Sequence, residues 1–213
     1  LSRIIIENNL KFNLRDIINY SIILYKEQSF ELSNKSVALD LISFLRERVK
    51  NYLKEKKIRI DIIEAVVSSH NNSNFLELYK KCQVFNKFIS KDNGKNILKS
   101  YKRVSNILEQ EIKKNGFQIT GLPDSVLFKK DEEKILFDTI NGIRKYFSST
   151  LNMENYEKTI EVLSNAKTNI DSFFDNVVVN DENESIKKNR LELLKMFCMT
   201  LDNFINFSKI EGV

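Results

Sequence analysis

Only five glycines and one proline punctuate 213 residues. Tight turns and strand bulges draw on these two residues, so a chain this poor in them has few places to reverse sharply and is pushed toward helices. Hydrophobic residues make up 42% and charged residues 30%, the balance of a folded protein rather than a disordered one. By size scaling such a chain buries roughly 70% of its unfolded surface, enough for one domain or two small ones.

Apolar spacing fills in the helices. Behind Asn13, a good N-cap, Leu14, Ile17, Ile18, Leu24 and Tyr25 recur with helical period. A second helix starts near Ser33 or Asn34 and carries Val37, Leu41, Phe44, Leu45, Val49 and Tyr52; shorter ones follow Asp61 and Asn74. The composition of "SKDNGK" predicts a turn, followed by a long helix over 95–114 with Leu98, Tyr101, Leu108 and Ile112 along one face. "NGFQITGLPDSVLF" holds Gly116, Gly121 and Pro123, half of all the glycine and proline, and marks the candidate internal break near 115–127. Helices are expected again over 131–147 and 153–166. The Val-Val-Val run at 177–179 reads locally as strand, but Ile170, Phe173, Phe174, Val177 and Val178 stand at offsets 0, 3, 4, 7 and 8, the stripe of a half-buried helix. A last helix is expected over 185–209, with Lys209 in its final turn. The fold class is all-α, a bundle of about eight or nine helices.

Several chemistries are excluded. The glycines never cluster into a Rossmann or phosphate-loop pattern. Cys82 and Cys198 are far apart and read as reduced, buried thiols, while His70, the single histidine, sits in a polar run and reads as an exposed loop residue. No metal set of His/Cys type, catalytic set or cofactor site can be assembled from them. Asp171 and Asp175 share a helix face but read as solvated acids. No apolar run approaches the ~20 residues of a membrane span, nor does the start look like a signal peptide, so the expected location is the cytoplasm. The chain begins without methionine inside an apolar run, which reads as a piece of something longer.

Charge is unevenly spread. The formal net charge is +5; residues 46–59 hold seven Lys/Arg against two Glu, residues 80–114 hold ten against three acids, and residues 171–184 hold five acids and no base. A basic stretch with interleaved Tyr79, Phe85, Phe88 and Tyr101 suits a polyanion, single-stranded or looped RNA more than duplex DNA, since no groove-reading motif is present. The competing reading is a set of solvated helix faces over an aromatic core.

Three stretches, "SFLRERVKNYLKEKKIRIDIIEAVVSS" (43–69), "SYKRVSNIL" (100–108) and "IDSFFDNVVVNDENESIKKNRLELLK" (170–195), together resemble the C-terminal region of the β subunit of two-subunit bacterial glycyl-tRNA synthetase, and "LSRIIIENNL" resembles what precedes it. The resemblance covers nearly the whole chain. It implies a DALR-type helical anticodon-binding domain over 11–213, with 1–10 the end of a preceding helical domain. The partners it implies are glycine tRNA and the α subunit of an α2β2 heterotetramer, which performs aminoacylation with ATP and Mg; this chain would be non-catalytic. Candidate tRNA contacts are the surface lysines Lys80, Lys81, Lys99 and Lys102, with Arg103 and Asn106 open between base or phosphate contact and a buried packing network. Arg48 and Arg190 are expected to be structural. Asn180 departs from the family pattern, where an apolar residue is expected. The rival reading is a non-catalytic helical assembly module that binds a protein.

Overall fold

The computed structural model describes residues 1–27, 34–69, 74–116, 119–149 and 156–212. Among the described residues there are nine α-helices and no strand: α1 (Ser2–Glu7), α2 (Leu14–Glu27), α3 (Asn34–Glu55), α4 (Ile60–Ser69), α5 (Phe75–Ile89), α6 (Asp92–Asn115), α7 (Asp131–Ser149), α8 (Tyr156–Asn176) and α9 (Glu184–Asp202). Single 3-10 turns occupy Ser125–Leu127 and Phe207–Lys209. The all-α expectation is met, and His70 lies outside the described residues.

Two compact units divide the chain, Leu1–Asn86 and Lys87–Val213. In the first, α3 packs with α1, α2 and α4 around Val49, Leu53, Ile62, Ile63 and Phe85. Local side-chain caps start its helices as the sequence foretells: Asn13 Oδ1 accepts from the Arg15 N–H, and Asn74 Oδ1 from that of Glu77. The apolar stripes are only partly used. Ile17, Leu24 and Tyr25 of α2, and Leu41 and Phe44 of α3, are exposed.

In the second unit α6 and α7 each pack against α8 and α9, burying Leu98, Val104, Ile140, Leu163, Phe173 and Leu194. The candidate break near 115–127 falls within this unit. Asn189, itself buried, clasps the loop from α9: its Oδ1 accepts from the Asp124 N–H at 2.7 Å and its Nδ2 donates to the Asp124 carbonyl at 3.0 Å. Lys195 also donates to the Ile119 carbonyl. Glycine and proline mark a turn here, but the turn is bonded into the core. Gly116 ends α6 in the left-handed conformation, φ 65°, that few other residues adopt without strain.

Three boundaries differ from the sequence reading. The two helices expected across 153–178 are one, α8, which stops at Asn176; Val177 stays buried while Val178 is 71% exposed, so the valine run is neither helix nor strand. The last helix ends at Asp202 rather than near 209, because the Asp202 carboxylate accepts from the Phe207 N–H and the Tyr101 hydroxyl and folds the tail back. Finally, α6 begins inside "SKDNGK". Gly94 makes this early start possible, since a Cβ there would stand 2.1 Å from the Phe88 carbonyl oxygen.

That contact reverses the usual effect of filling a helical glycine. In an open helix Gly→Ala gains about 1 kcal/mol; Gly94→Ala is expected to destabilise by about 1–3 kcal/mol instead, read as a lower urea midpoint.

Candidate nucleic-acid interface

The long helix α6 presents a polar edge. Lys99, Lys102, Arg103, Asn106, Ile107 and Gln110 line one open groove on the second unit. Their spacing explains why: Lys99, Arg103, Asn106 and Gln110 stand at offsets 0, 4, 7 and 11, one side of a 3.6-residue helix, while Leu98, Tyr101 and Val104 face the core. Among the described residues no hydrogen bond or ion pair engages the side chains of Lys99, Lys102, Asn106 or Gln110. Arg103 has one partner, the Phe174 ring of α8, whose centroid lies 4.0 Å from its guanidinium carbon. Arg103 and Asn106 are exposed, so the buried-network alternative does not describe them.

The basic stretch at 46–59 is different in kind. Lys50 is held by Glu47 and Glu64, both at 3.0 Å; Arg59 pairs with Asp61 at 2.5 Å; Lys56 approaches Glu7 at 3.8 Å. Lys50, Lys56 and Arg59 are thus answered by acids inside the first unit. Arg48 is exposed and lies over the Phe44 ring at 5.2 Å.

Lys80 and Lys81 belong to the first unit, on α5. Lys80 is half-buried, but Lys81, expected on the surface, is 6% exposed. The next residue, Cys82, is fully buried, and the turn of α5 that buries it also draws in Lys81. Burial takes the Lys81 ammonium down to about 8. Both thiols are buried as expected; burial pushes Cys82 up to about 12 and raises Cys198 as well.

Arg190 is buried among polar partners. It is 4% exposed; its Nε donates to Glu133 Oε1 at 2.8 Å, and one terminal nitrogen donates to the Val178 carbonyl at 2.8 Å and to Asp181 at 2.7 Å. Glu133 is fully buried, and its other oxygen accepts from the N–H groups of Lys129 and Lys130 at the start of α7, a capping arrangement. Burial alone would lower the guanidinium pKa, but the bonds to Glu133 and Asp181 outweigh it and hold it above its ordinary value. Asn180 is exposed, so its departure from an apolar residue leaves no gap in the core.

The sequence reading missed Gln110 as a groove residue and Phe174 as the ring beneath Arg103. Gln110 was recoverable from the polar period along α6. Phe174 was not, because its place in an apolar stripe argues for burial. Among the described residues no group of acids, histidines or cysteines could hold a metal, and no helix is long and apolar enough to cross a membrane.

A helical domain with an unpaired cationic edge is one class of protein; sequence comparison narrows it. Residues 97–212 match the DALR anticodon binding domain, and residues 1–68 match the glycyl-tRNA synthetase beta subunit family. The chain belongs to the DALR anticodon binding domain family. It is 38% identical over 208 residues to the glycine–tRNA ligase beta subunits of Rickettsia africae (strain ESF-5) and Rickettsia conorii (strain ATCC VR-613 / Malish 7), and 37% identical to that of Rickettsia prowazekii (strain Madrid E). Each alignment covers 98% of this chain, which spans 29% of the relatives' length.

Removing one member of a buried ion pair strands the other, so Arg190→Ala and Glu133→Ala are each expected to cost about 3–5 kcal/mol in chemical denaturation. Arg190→Lys should recover little, because one ammonium cannot reproduce the guanidinium's fixed fork. For Lys81 the sign runs the other way. Its folded pKa lies below the ordinary lysine value, so the unfolded chain binds the proton more tightly and the penalty is fully present below about pH 8. Lys81→Met should therefore be more stable than the parent near about pH 7, and the advantage should shrink as pH rises toward about 10.

Proposed function

We propose that this chain is the tRNA-gripping part of a glycine–tRNA ligase β subunit and that the α6 edge meets the anticodon loop of glycine tRNA. The observation that carries the reading is the groove of Lys99, Lys102, Arg103 and Asn106, whose lysines no acid of the described chain answers, inside the segment that matches an anticodon binding domain. Lysine and arginine there would displace counterions from loop phosphates, and the exposed asparagine and arginine suit base edges or backbone oxygens. No group in this chain is assigned a catalytic step. Aminoacylation belongs to an α subunit, which would use ATP and Mg; the assembly is an α2β2 heterotetramer, and the setting is cytoplasmic.

A rival reading, a helical assembly module, draws on the exposed Ile17, Tyr20, Leu41 and Phe44 of the first unit. Titration of the chain with glycine tRNA at several salt concentrations separates the two. Binding should weaken steeply with salt, and Lys99→Ala or Lys102→Ala should each reduce the log–log slope by about 0.7, the loss of one single-strand phosphate contact. A tRNA with an altered anticodon should bind less tightly. Affinity indifferent to salt and to these substitutions would leave the assembly reading in place.

A further inference from the structure

Next to the α6 stripe the second unit carries another groove, between α6 and α8, lined among others by Lys99, Arg103, Lys167, Asp171, Phe174 and Asp175. It is not built for phosphate alone. The Arg103 guanidinium lies over the Phe174 ring, so a planar cation is backed on one side by an aromatic face and is offered, from an exposed residue, to a second planar group on the other. Lys99, one turn earlier on α6, supplies a cation for the attached backbone.

The two carboxylates are in different states. Asp171 is engaged by Lys167 at 2.5 Å. Asp175, one turn further along α8, is exposed and has no hydrogen-bond or ion-pair partner among the described residues. An ionised carboxylate only accepts hydrogen bonds. With three cations and two acids in the groove, a nucleic-acid strand is still admitted.

A stacking shelf beside a single acceptor-only group complements a splayed base with an exocyclic amino group. Cytosine, adenine and guanine each present one. Uracil presents carbonyl oxygens on either side of its lone N–H, and their lone pairs face the carboxylate. Resting on the RNA-binding reading above, we propose that the α6–α8 groove holds one unstacked RNA base on the Arg103–Phe174 shelf, where Asp175 selects an amino-bearing base over uracil.

The test is fluorescence anisotropy of the full chain with two labelled RNA stem-loops that share a stem, one with an all-cytidine loop and one with an all-uridine loop, at several salt concentrations. The parent chain should bind the cytidine loop about tenfold more tightly. Asp175→Asn replaces the acceptor with an amide that also donates; it should bring the ratio close to one by strengthening uridine binding, with the salt slope nearly unchanged. Because Asp175 is exposed and unpartnered, the substitution leaves the fold intact, which the thermal midpoint checks. Equal binding of the two loops by the parent, or an unchanged ratio in Asp175→Asn, overturns base selection while salt-dependent binding keeps the RNA-binding reading. Absence of binding to either loop overturns both.

Discussion

A guanidinium buried at 4% exposure has to find its acceptors inside the protein, because an uncompensated charge in the interior is among the largest penalties a fold can carry. Arg190 finds them at three places that are distant in sequence: Glu133 in the first turn of α7, the Val178 carbonyl just past the end of α8, and Asp181 in the approach to α9. The requirement to satisfy this one group therefore fixes where α7 begins, where the chain leaves α8 and how it enters α9. Glu133 extends the constraint by holding the Lys129 and Lys130 N–H groups. The end of α8 that presents Phe174 to Arg103 is thus anchored a few residues downstream.

With the scaffold set in this way, surface charge is sorted by whether it is answered. The stretch at 46–59 and the stretch at 80–114 look alike when lysines and arginines are counted. Partners divide each of them: Lys50, Lys56 and Arg59 sit against acids, as does Lys95 against Asp92, and Lys81 is withdrawn into the interior, whereas Lys99, Lys102 and Arg103 meet no acid within bonding distance among the described residues. A cation held by a carboxylate has little left to give a phosphate, because the same Coulomb attraction is already in use. Lys99, Lys102 and Arg103 gather unanswered cations on one side of α6.

Helical class was legible from the scarcity of glycine and proline, and helix starts from Asn13 and Asn74, because both signals act within a few residues. The polar face of α6 was legible for the same reason: Lys99, Arg103 and Asn106 are neighbours by helical geometry alone. The rest depended on contacts from afar. "SKDNGK" has the composition of a turn, yet Gly94 lets the helix begin early against the Phe88 carbonyl. The loop near 115–127 has the residues of a linker, yet Asn189 pins it. Tyr101 and Asp202 are 101 positions apart, and their bond ends α9 sooner than its apolar pattern would. Lys81 could not be told from Lys80 by type or by spacing, since only the packing around α5 separates them.

The placement of Phe174 carries the same lesson to the site itself. In the sequence it completes a stripe with Ile170, Phe173 and Val177, and an aromatic in such a stripe is ordinarily core. In the fold Phe173 is fully buried while Phe174 is only half-buried, their rings meeting edge to face at 5.7 Å. Adjacent side chains on a helix diverge by about 100°, and here Phe173 takes the core while Phe174 falls beside it. The second ring lies at the margin, where its cost in exposed apolar surface is offset by covering it with something flat and polar. Arg103 is such a cover, and because its guanidinium has two faces, the arrangement that shields the phenylalanine also leaves a planar charged surface open to the groove.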